Sequence, residues 1–518
     1  MYYTSPRVSN VSADLFEAQE NTDSGQKLKA NTKTPPDEFE RPKPQKAVTN
    51  PVEPVVLHGY TATRMIPFRD VCDTIRNYAF VSSELPVIVS LEVHTNREQQ
   101  QLMVDIMRES FKGMLCDPID FPEETGNSKL TKLELPSPSN LRRKILIKVK
   151  YSPPNPEPEE ASISGSADQK ESNENVTTSW SDSDDEATKD TRKPGKASKI
   201  IDALSQMGVY TRSCHFKSFN QVEAALPTHV FSLSETALLQ IHKADPVGLF
   251  DHNQKFFMRA FPRGLRISSS NLDPALFWRL GVQMVALNWQ TMDAGMMLNE
   301  AMFANTEGWI LKPEGYRRHS ISSQASQVET FPGASRFSVE FFAGQDIPTP
   351  KGAEGAKFHP YIKCELHVES DLSTDGRAKD GEYKQSTKSS SGCDPDFKRE
   401  VLRFDNIPAL TPALSFVRFK VMQDERFGRD EMVAWACIRL DRLGSGYRFV
   451  HLFDSKGMWT KGAILVRIDY SWKVKDIAVP VPKESNVAAS EGTGSSKKHL
   501  AGMEHKILHG FHRTLSQQ

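Results

Sequence analysis

The stretch that decides the fold spans residues 85 to 98 and reads Leu85-Pro86-Val87-Ile88-Val89-Ser90-Leu91-Glu92-Val93-His94-Thr95-Asn96-Arg97-Glu98. Its first half is short, apolar and rich in valine and isoleucine, which is typical of a buried strand. Thr95 and Glu98 form a capping-box pattern, which predicts the start of a helix. A helical stripe from Phe68 to Ala79 precedes the strand. This alternation predicts a parallel sheet covered by helices.

Strand and helix signals continue on both sides of this stretch. Residues 54–57 are a short apolar run, which predicts a buried strand, and residues 144–150 predict another. Ser232 and Glu235 form a second capping-box pattern, and Asp273 followed by Pro274 predicts a further helix start. From residue 335 onward, short apolar runs separated by Gly, Pro, Ser and Asp predict an all-β sandwich instead.

The composition bounds the class of protein. The chain has 518 residues, 38% of them apolar, and a mean hydropathy of −0.50, so we expect two domains joined by polar segments. A formal net charge of −1 gives no global attraction to nucleic acid. The longest apolar run, residues 85–93, is far shorter than the roughly 20 residues of a membrane span. Six scattered cysteines without a C-x-x-C pattern argue against a disulfide framework and favour the cytoplasm.

These signals divide the chain into seven segments. We expect a disordered N-terminus, a first α/β part, a disordered acidic linker, a second α/β part, a short linker, the β-sandwich and a polar tail with a basic amphipathic segment. The predicted bounds are 1–53, 54–150, 151–199, 200–316, 317–334, 335–475 and 476–518. The acidic linker has ten acids and one lysine between residues 151 and 186. Because it would repel an anionic membrane, we expect it to keep a basic site closed until docking.

Three local patterns carry candidate chemistry, and each has a structural alternative. His58 follows a predicted strand, where it could be a catalytic group or a structural hydrogen bonder. Glu92 ends another strand, where it could bind Ca²⁺ or Mg²⁺, act as a catalytic carboxylate, or form a capping ion pair. Lys144, Lys148 and Lys150 alternate along one strand and therefore face the same way. Such a row suits a phosphorylated headgroup or, alternatively, a solvated sheet edge.

Taken together, these patterns resemble eukaryotic phosphoinositide-specific phospholipase C. In that family a (β/α)8 TIM-type barrel is split into X and Y halves by an acidic linker and followed by a C2 domain. In the first half the resemblance rests on Val56-Leu57-His58-Gly59-Tyr60-Thr61 and on residues 86–94. In the second half it rests on Phe231-Ser232-Leu233-Ser234-Glu235, Arg259-Ala260-Phe261-Pro262, Gly281-Val282-Gln283-Met284-Val285-Ala286-Leu287-Asn288-Trp289-Gln290-Thr291 and Gly308-Trp309-Ile310-Leu311-Lys312-Pro313. It covers residues 54–150 and 200–472.

The resemblance implies a role for each matching residue. His58 resembles the family's second active-site histidine, which stabilises charge on the transition-state phosphate and assists the departing diacylglycerol. Glu92 resembles a ligand of the catalytic Ca²⁺. The positions that hold the 4- and 5-phosphates of the inositol ring are matched by Lys148, Lys150, Ser234 and Arg259. Phe261 stands where the family usually has a tyrosine packed on the ring, so we expect modestly weaker headgroup binding.

The resemblance also implies residues that this chain lacks. The family's first two barrel strands carry a Ser-His-Asn-Thr-Tyr string and a Glu-x-Asp-x-Trp-Asp-Gly string. These strings supply the first catalytic histidine, an asparagine ligand of Ca²⁺ and two further carboxylates. Residues 1–53 contain no histidine and no strand-like run. We therefore expect an α/β fold in which the barrel lacks its first two strands and is followed by a C2-like sandwich.

The function implied is Ca²⁺-dependent hydrolysis of phosphatidylinositol 4,5-bisphosphate to inositol 1,4,5-trisphosphate and diacylglycerol, in signalling and lipid catabolism. The missing strings leave two readings: an N-terminally truncated form of an active lipase, which we favour, or a catalytically impaired regulatory pseudoenzyme. The implied partners are a phosphoinositide-containing membrane surface, bound peripherally from the cytoplasm, and an activator such as a G-protein subunit. Nucleic acid and a transmembrane segment are not expected.

Overall fold

The structure is a computed structural model, and it describes eleven parts of the chain. They are residues 2–4, 52–57, 64–117, 135–152, 200–264, 266, 268–317, 331–350, 358–368, 383–425 and 428–471. His58, residues 153–199 of the acidic linker and the C-terminal tail from residue 476 lie outside these residues. The expectations for them therefore remain sequence predictions.

The first half of the chain alternates strands and helices, as the sequence predicts. The elements up to the acidic linker are β1 (Tyr2–Thr4), β2 (Val55–Val56), β3 (Ile66–Pro67), α1 (Phe68–Tyr78), β4 (Val87–Ser90), α2 (Arg97–Ser110) and β5 (Ile145–Lys150). Those after it are α3 (Asp202–Gln206), β6 (Arg212–Cys214), β7 (His229–Ser234), α4 (Glu235–Ala244), α5 (Pro246–Lys255), β8 (Phe257–Phe261), α6 (Pro274–Arg279), β9 (Met284–Val285), α7 (Ala294–Phe303) and β10 (Trp309–Leu311).

Six of these strands form the parallel sheet of a TIM-type barrel. Strands β4 to β9 pair with their neighbours in chain order, and every one of these pairs is parallel. In the described part of the chain, β4 and β10 end the sheet. The two ends approach each other, because the Trp309 indole donates to the Pro86 carbonyl at 3.1 Å and the Ser83 hydroxyl donates to the Glu307 carbonyl at 3.0 Å.

Residues 2–4 differ from the prediction that residues 1–53 contain no strand. Tyr2, Tyr3 and Thr4 form β1, which pairs antiparallel with β10 and parallel with Met284 of β9. Aromatic and β-branched residues favour strands, and the edges of β9 and β10 offer backbone groups that would otherwise lack partners. A three-residue segment gives too little periodicity for a strand to be predicted from sequence.

Residues 54–57 also differ from the prediction of a buried strand. Only Val55 and Val56 are in a strand, and they pair antiparallel with Ile66 and Pro67 in a two-stranded ribbon. The Val55 and Leu57 side chains are exposed, so this ribbon contributes little to the core. A short apolar run does not by itself reveal which face another element will cover.

The predicted helix starts lie at the right positions, but the capping residue is not always the predicted one. Asp273 caps α6 as predicted, since its Oδ1 accepts the Ala275 N–H at 3.0 Å. For α2, the cap is Asn96 rather than Thr95, because Asn96 Oδ1 accepts the Gln99 N–H at 2.8 Å. The Thr95 hydroxyl instead lies 3.6 Å from the Met103 sulfur.

The second half of the chain is an antiparallel sandwich, as predicted. Its strands are β11 (Phe331–Gln345), β12 (Pro360–His367), β13 (Lys384–Ser386), β14 (Asp396–Leu410), β15 (Phe416–Gln423), β16 (Glu431–Arg439), β17 (Gly446–Asp454) and β18 (Trp459–Ser471). The order in the sheet is β13-β12-β15-β16-β17-β18-β11-β14. Sequence patterning missed β13 and β14, and β11 begins inside the segment predicted to be a linker.

The sandwich packs directly on the barrel half. Leu414 and Phe416 belong to the same buried cluster as α6 and α7, and the Phe416 ring lies 6.0 Å from that of Trp278. Arg279 donates to the Leu414 carbonyl at 2.9 Å. The two halves therefore share a continuous apolar contact.

Candidate functional site

The candidate site lies where the parallel strands end. In parallel strands the carboxyl ends meet at one rim, which is where TIM-type barrels place their ligands. The strand register brings Ser90 beside Lys148, Lys150 beside Ser213, and Ser234 beside Phe261. Residues far apart in the sequence are therefore neighbours at this rim.

Alternation along β5 decides which way its lysines point. Ile145, Ile147 and Val149 pack in the cluster formed with α1 and α2, so Lys148 and Lys150 lie on the opposite face of the sheet. Lys148 is 4% exposed and donates from Nζ to the Ser213 hydroxyl at 3.1 Å. Lys150, at the end of the strand, is exposed. The prediction that these lysines share a face agrees with this geometry.

The same rule places two more polar side chains on this face. In β7, Phe231 and Leu233 belong to the cluster under the helices, and in β8 Met258 and Ala260 do so. Ser232 and Arg259 therefore face the other way. We call this surface the inner polar face, and it comprises Lys148, Lys150, Ser213, Ser232, Ser234, Arg259 and Phe261.

Ser232 is a candidate site residue that the sequence patterns did not indicate. The capping-box pattern predicts a helix cap at Ser232, but this residue lies within β7 beside Arg259 in the parallel register. Ser232 is 6% exposed, and its hydroxyl oxygen has no hydrogen-bond partner among the described residues. A buried hydroxyl without a partner is costly, so such a group is a candidate ligand contact. The alternation of apolar and polar residues in β7 is the signal that could have identified it.

Ser234 has a structural task in addition to its predicted one. It is the N-cap of α4, and its Oγ accepts the Ala237 N–H at 3.3 Å. The cap that the sequence assigned to Ser232 therefore belongs to Ser234. Its role as a phosphate ligand remains a prediction.

Arg259 and Phe261 lie against each other on β8. The guanidinium carbon of Arg259 is 5.3 Å from the centre of the Phe261 ring, which is within the range of a cation–π contact. Both residues are half-buried. The ring therefore restricts the arginine on one side.

An ion pair borders the inner polar face. Arg266 donates to both carboxylate oxygens of Glu235, from Nε at 2.5 Å and from a terminal nitrogen at 2.7 Å. The backbone N–H of Arg263 also donates to Glu235, at 3.0 Å. Burial alone would raise the pKa of Glu235, but these hydrogen bonds and the charges of both arginines outweigh it and lower the pKa. Glu235 is therefore held as a carboxylate.

The described residues do not fit a Ca²⁺ site. Glu92 is a single carboxylate, 83% exposed, whose Oε1 lies 2.8 Å from the ring nitrogen of His94. Within the described residues, no three His, Cys, Asp or Glu side chains are grouped closely enough to hold a metal ion. Ca²⁺ prefers six to eight oxygen ligands, so Glu92 alone is insufficient.

Comparison with family models identifies three domains in this chain. The phosphatidylinositol-specific phospholipase C X domain matches residues 27–151, its Y domain matches residues 204–315, and a C2 domain matches residues 335–455. The X-domain match begins at residue 27, which is upstream of residue 54, the predicted start of the barrel.

Relatives and a solved structure agree with this assignment. The chain is 31% identical over 468 residues to 1-phosphatidylinositol 4,5-bisphosphate phosphodiesterase 1 of Candida albicans, covering 81% of this chain and 41% of that protein. It is also 31% identical to the human inactive phospholipase C-like protein 2, covering 78% of this chain and 34% of that protein. The crystal structure of L. pealei PLC21 superposes with a TM-score of 0.62 at 26% identity, covering 82% of this chain and 50% of that one.

The chain therefore belongs to the phosphatidylinositol-specific phospholipase C family, with X and Y domains in its barrel half and a C2 domain as its sandwich. It spans about half, or less, of the length of these relatives. They include both phosphodiesterases and proteins described as inactive. Among the helices that the structure describes, none is both long and apolar enough to cross a bilayer.

Proposed function

We propose that the inner polar face binds the phosphorylated headgroup of phosphatidylinositol 4,5-bisphosphate. The observation that carries this proposal is that Lys148 of β5, Ser232 of β7 and Arg259 of β8 lie on the same face of one parallel sheet, where Lys148 donates to Ser213 of β6 and Ser232 is the register partner of Arg259. Two cations and a buried hydroxyl without a described partner suit a ligand that is both anionic and rich in acceptor oxygens. An unphosphorylated inositol ring carries no anionic group for these two cations to recognise.

Each residue has a distinct part in this recognition. Lys148 is buried, so its charge acts at short range in a poorly solvated environment. Lys150 is exposed at the rim and would meet the headgroup first. Arg259 can make two parallel hydrogen bonds to a phosphate while its flat side rests on Phe261. The Ser232 hydroxyl would donate to a phosphate oxygen.

The reaction that this site would serve is hydrolysis of the lipid to inositol 1,4,5-trisphosphate and diacylglycerol. The Candida albicans relative carries the name of that phosphodiesterase. His58 would assist the leaving group, and Glu92 would be one ligand of Ca²⁺, which supplies charge neutralisation in such a reaction. The described residues alone do not fit Ca²⁺, so they do not account for a Ca²⁺-dependent step.

A second candidate function is headgroup binding without turnover. Glu92 is exposed, is paired with His94 and belongs to no group of three potential metal ligands among the described residues, which favours this alternative. Relatives described as inactive share 31% identity with this chain. In this case the chain would be a regulatory or adaptor module for the same lipid.

The setting proposed is the cytoplasmic face of a membrane, with peripheral binding assisted by the C2 domain. An activator such as a G-protein subunit is a further proposal that follows from the family. Both proposals assume that the inner polar face, which lies at one rim of the sheet, meets its lipid at the membrane surface.

The test is Ca²⁺-dependent release of inositol 1,4,5-trisphosphate from vesicles that contain phosphatidylinositol 4,5-bisphosphate. We expect release by the wild-type chain, little release without Ca²⁺, and loss of release in His58→Ala. Vesicle binding without release by the wild type would instead establish the second candidate. Neither binding nor release would contradict both.

A further inference from the structure

The ion pair between Glu235 and Arg266 is more extensively bonded than a typical surface pair. The guanidinium uses Nε and one terminal nitrogen on Glu235, and its other terminal nitrogen donates to the Ser270 hydroxyl at 3.0 Å. Glu235 is 9% exposed and also accepts the Arg263 N–H. Two-bond arginine–carboxylate pairs of this kind fix geometry as well as contributing energy. All three guanidinium nitrogens are already engaged within the protein.

The position of the pair connects two parts of the candidate site. Glu235 is the first residue of α4 and directly follows Ser234, whose register partner is Phe261 at the end of β8. Arg266 lies in the segment that leaves β8. The pair therefore fastens the segment after β8 to the start of α4, across the ends of the strands that hold Ser232 and Arg259.

The pair also neutralises a negative charge beside the proposed phosphate site. Glu235 places a carboxylate three residues from Ser232, next to a face that we propose binds phosphates. Two like charges within several ångströms repel each other, and the repulsion is stronger where water is excluded. Arg266 compensates this charge, so the carboxylate can hold the segment without opposing the anionic ligand.

We propose that Glu235 and Arg266 form a positioning clamp for headgroup recognition. The clamp holds the ends of β7 and β8 in register and cancels the charge of the Glu235 carboxylate. Arg266 is thus a positioning residue and not itself a phosphate ligand. This inference rests on the proposed headgroup site.

The test uses the full chain and soluble inositol 1,4,5-trisphosphate as the probe. Affinity is measured by calorimetry at a temperature well below the melting point of every variant, and thermal unfolding is recorded in parallel. The variants are Arg266→Met, Arg266→Lys and the double variant Glu235→Gln with Arg266→Met. Arg336→Met is the matched control, because it breaks an exposed pair with Asp405 on the sandwich.

We expect Arg266→Met to weaken binding about tenfold, as for loss of a charge-assisted pair, and Arg266→Lys to fall between it and the wild type. The double variant should regain part of the lost affinity, because the uncompensated carboxylate is gone. A purely structural role would not produce this recovery. Arg336→Met should bind like the wild type.

Two results would overturn the clamp while leaving the headgroup site intact. One is unchanged affinity of Arg266→Met, and the other is a double variant that binds as weakly as Arg266→Met or more weakly. If the wild type does not bind the trisphosphate at all, the proposed function fails and the clamp fails with it.

Discussion

Ser232 and Arg259 are register partners on β7 and β8, and both side chains lie on the inner polar face. They are separated by 26 residues of intervening sequence that form two helices on the outside of the sheet. The parallel pairing thus brings a buried hydroxyl and a guanidinium together at the rim. This relationship is the structural basis of the proposed headgroup site.

Replacing the two serines of β7 should separate binding from stability. We expect Ser232→Ala to weaken trisphosphate binding with little change in unfolding free energy, because its hydroxyl has no described partner to lose. Ser234→Ala removes the cap of α4 and should cost about 1 kcal/mol of stability. Calorimetric titration and urea unfolding of both variants measure the two effects. The reverse pattern would reassign the phosphate contact to Ser234.

His252 should make the free energy of unfolding depend on pH. Burial lowers the pKa of this histidine from 6.5 to about 4, a shift that a hydrogen bond to Asn253 opposes and the charge of Lys312 reinforces. Between these pH values the unfolded chain binds a proton that the folded chain does not. Stability therefore falls as the pH drops from about 6.5 to about 4, at a rate approaching 1.4 kcal/mol per pH unit for one group.

His252→Phe tests this dependence, since the histidine ring already stacks on Phe231 at 5.4 Å. We expect the variant to lose less stability on acidification, measured as urea unfolding free energy at several pH values. His451→Phe, at an exposed position of β17, is the control and should keep the wild-type slope. An equal slope in His252→Phe would refute the assignment.

Lys312 should stabilise the contact between two helix ends. It is 1% exposed and donates to the backbone carbonyls of Asn253 at 2.8 Å and Gly281 at 2.6 Å. Lys312→Met would leave both acceptors without this donor, so we expect a loss of about 2–4 kcal/mol in unfolding free energy. Lys461→Met, at an exposed position of β18, serves as control. A change below about 0.5 kcal/mol, as at an ordinary surface position, would argue against this role.

The acidic linker should oppose docking at anionic membranes. Deletion of residues 155–190 removes eleven acids and two lysines, and we expect tighter binding to vesicles that contain phosphatidylinositol 4,5-bisphosphate. The gain should shrink at high salt, because the repulsion is screened. A chain of unchanged length, in which the acids of this segment are replaced by Asn and Gln, controls for chain length and should bind like the deleted chain. Equal vesicle binding by the deleted and intact chains would contradict the prediction that the acidic linker keeps the basic site closed.

Much of the fold follows from sequence patterns, whereas the site follows only in part. Apolar runs rich in valine and isoleucine predict β4 and β5, because burial on both faces leaves a clear apolar signature, whereas no such run marks β6, β7 or β8. Alternation also predicts that Lys148 and Lys150 share a face. Patterning could not predict β1, whose three residues take their conformation from the edges of β9 and β10.

The residue that caps a helix is harder to predict, because the competing candidates stand only one or two positions apart in the sequence. Thr95 and Asn96 can both cap α2, and the choice of Asn96 depends on backbone geometry at the helix start. Likewise Ser232 and Ser234 both precede Glu235 at distances that suit a cap. Only the length of β7 decides that Ser234 caps the helix and leaves Ser232 on the inner polar face.

The most direct test of the central claim is calorimetric titration of inositol 1,4,5-trisphosphate into the wild-type chain and into Arg259→Met. We predict saturable binding by the wild type, which weakens with rising salt, and a loss of at least about tenfold in affinity in the variant. Arg336→Met should match the wild type. No binding by the wild type, or equal binding by Arg259→Met, would contradict the claim that this face recognises the phosphorylated headgroup.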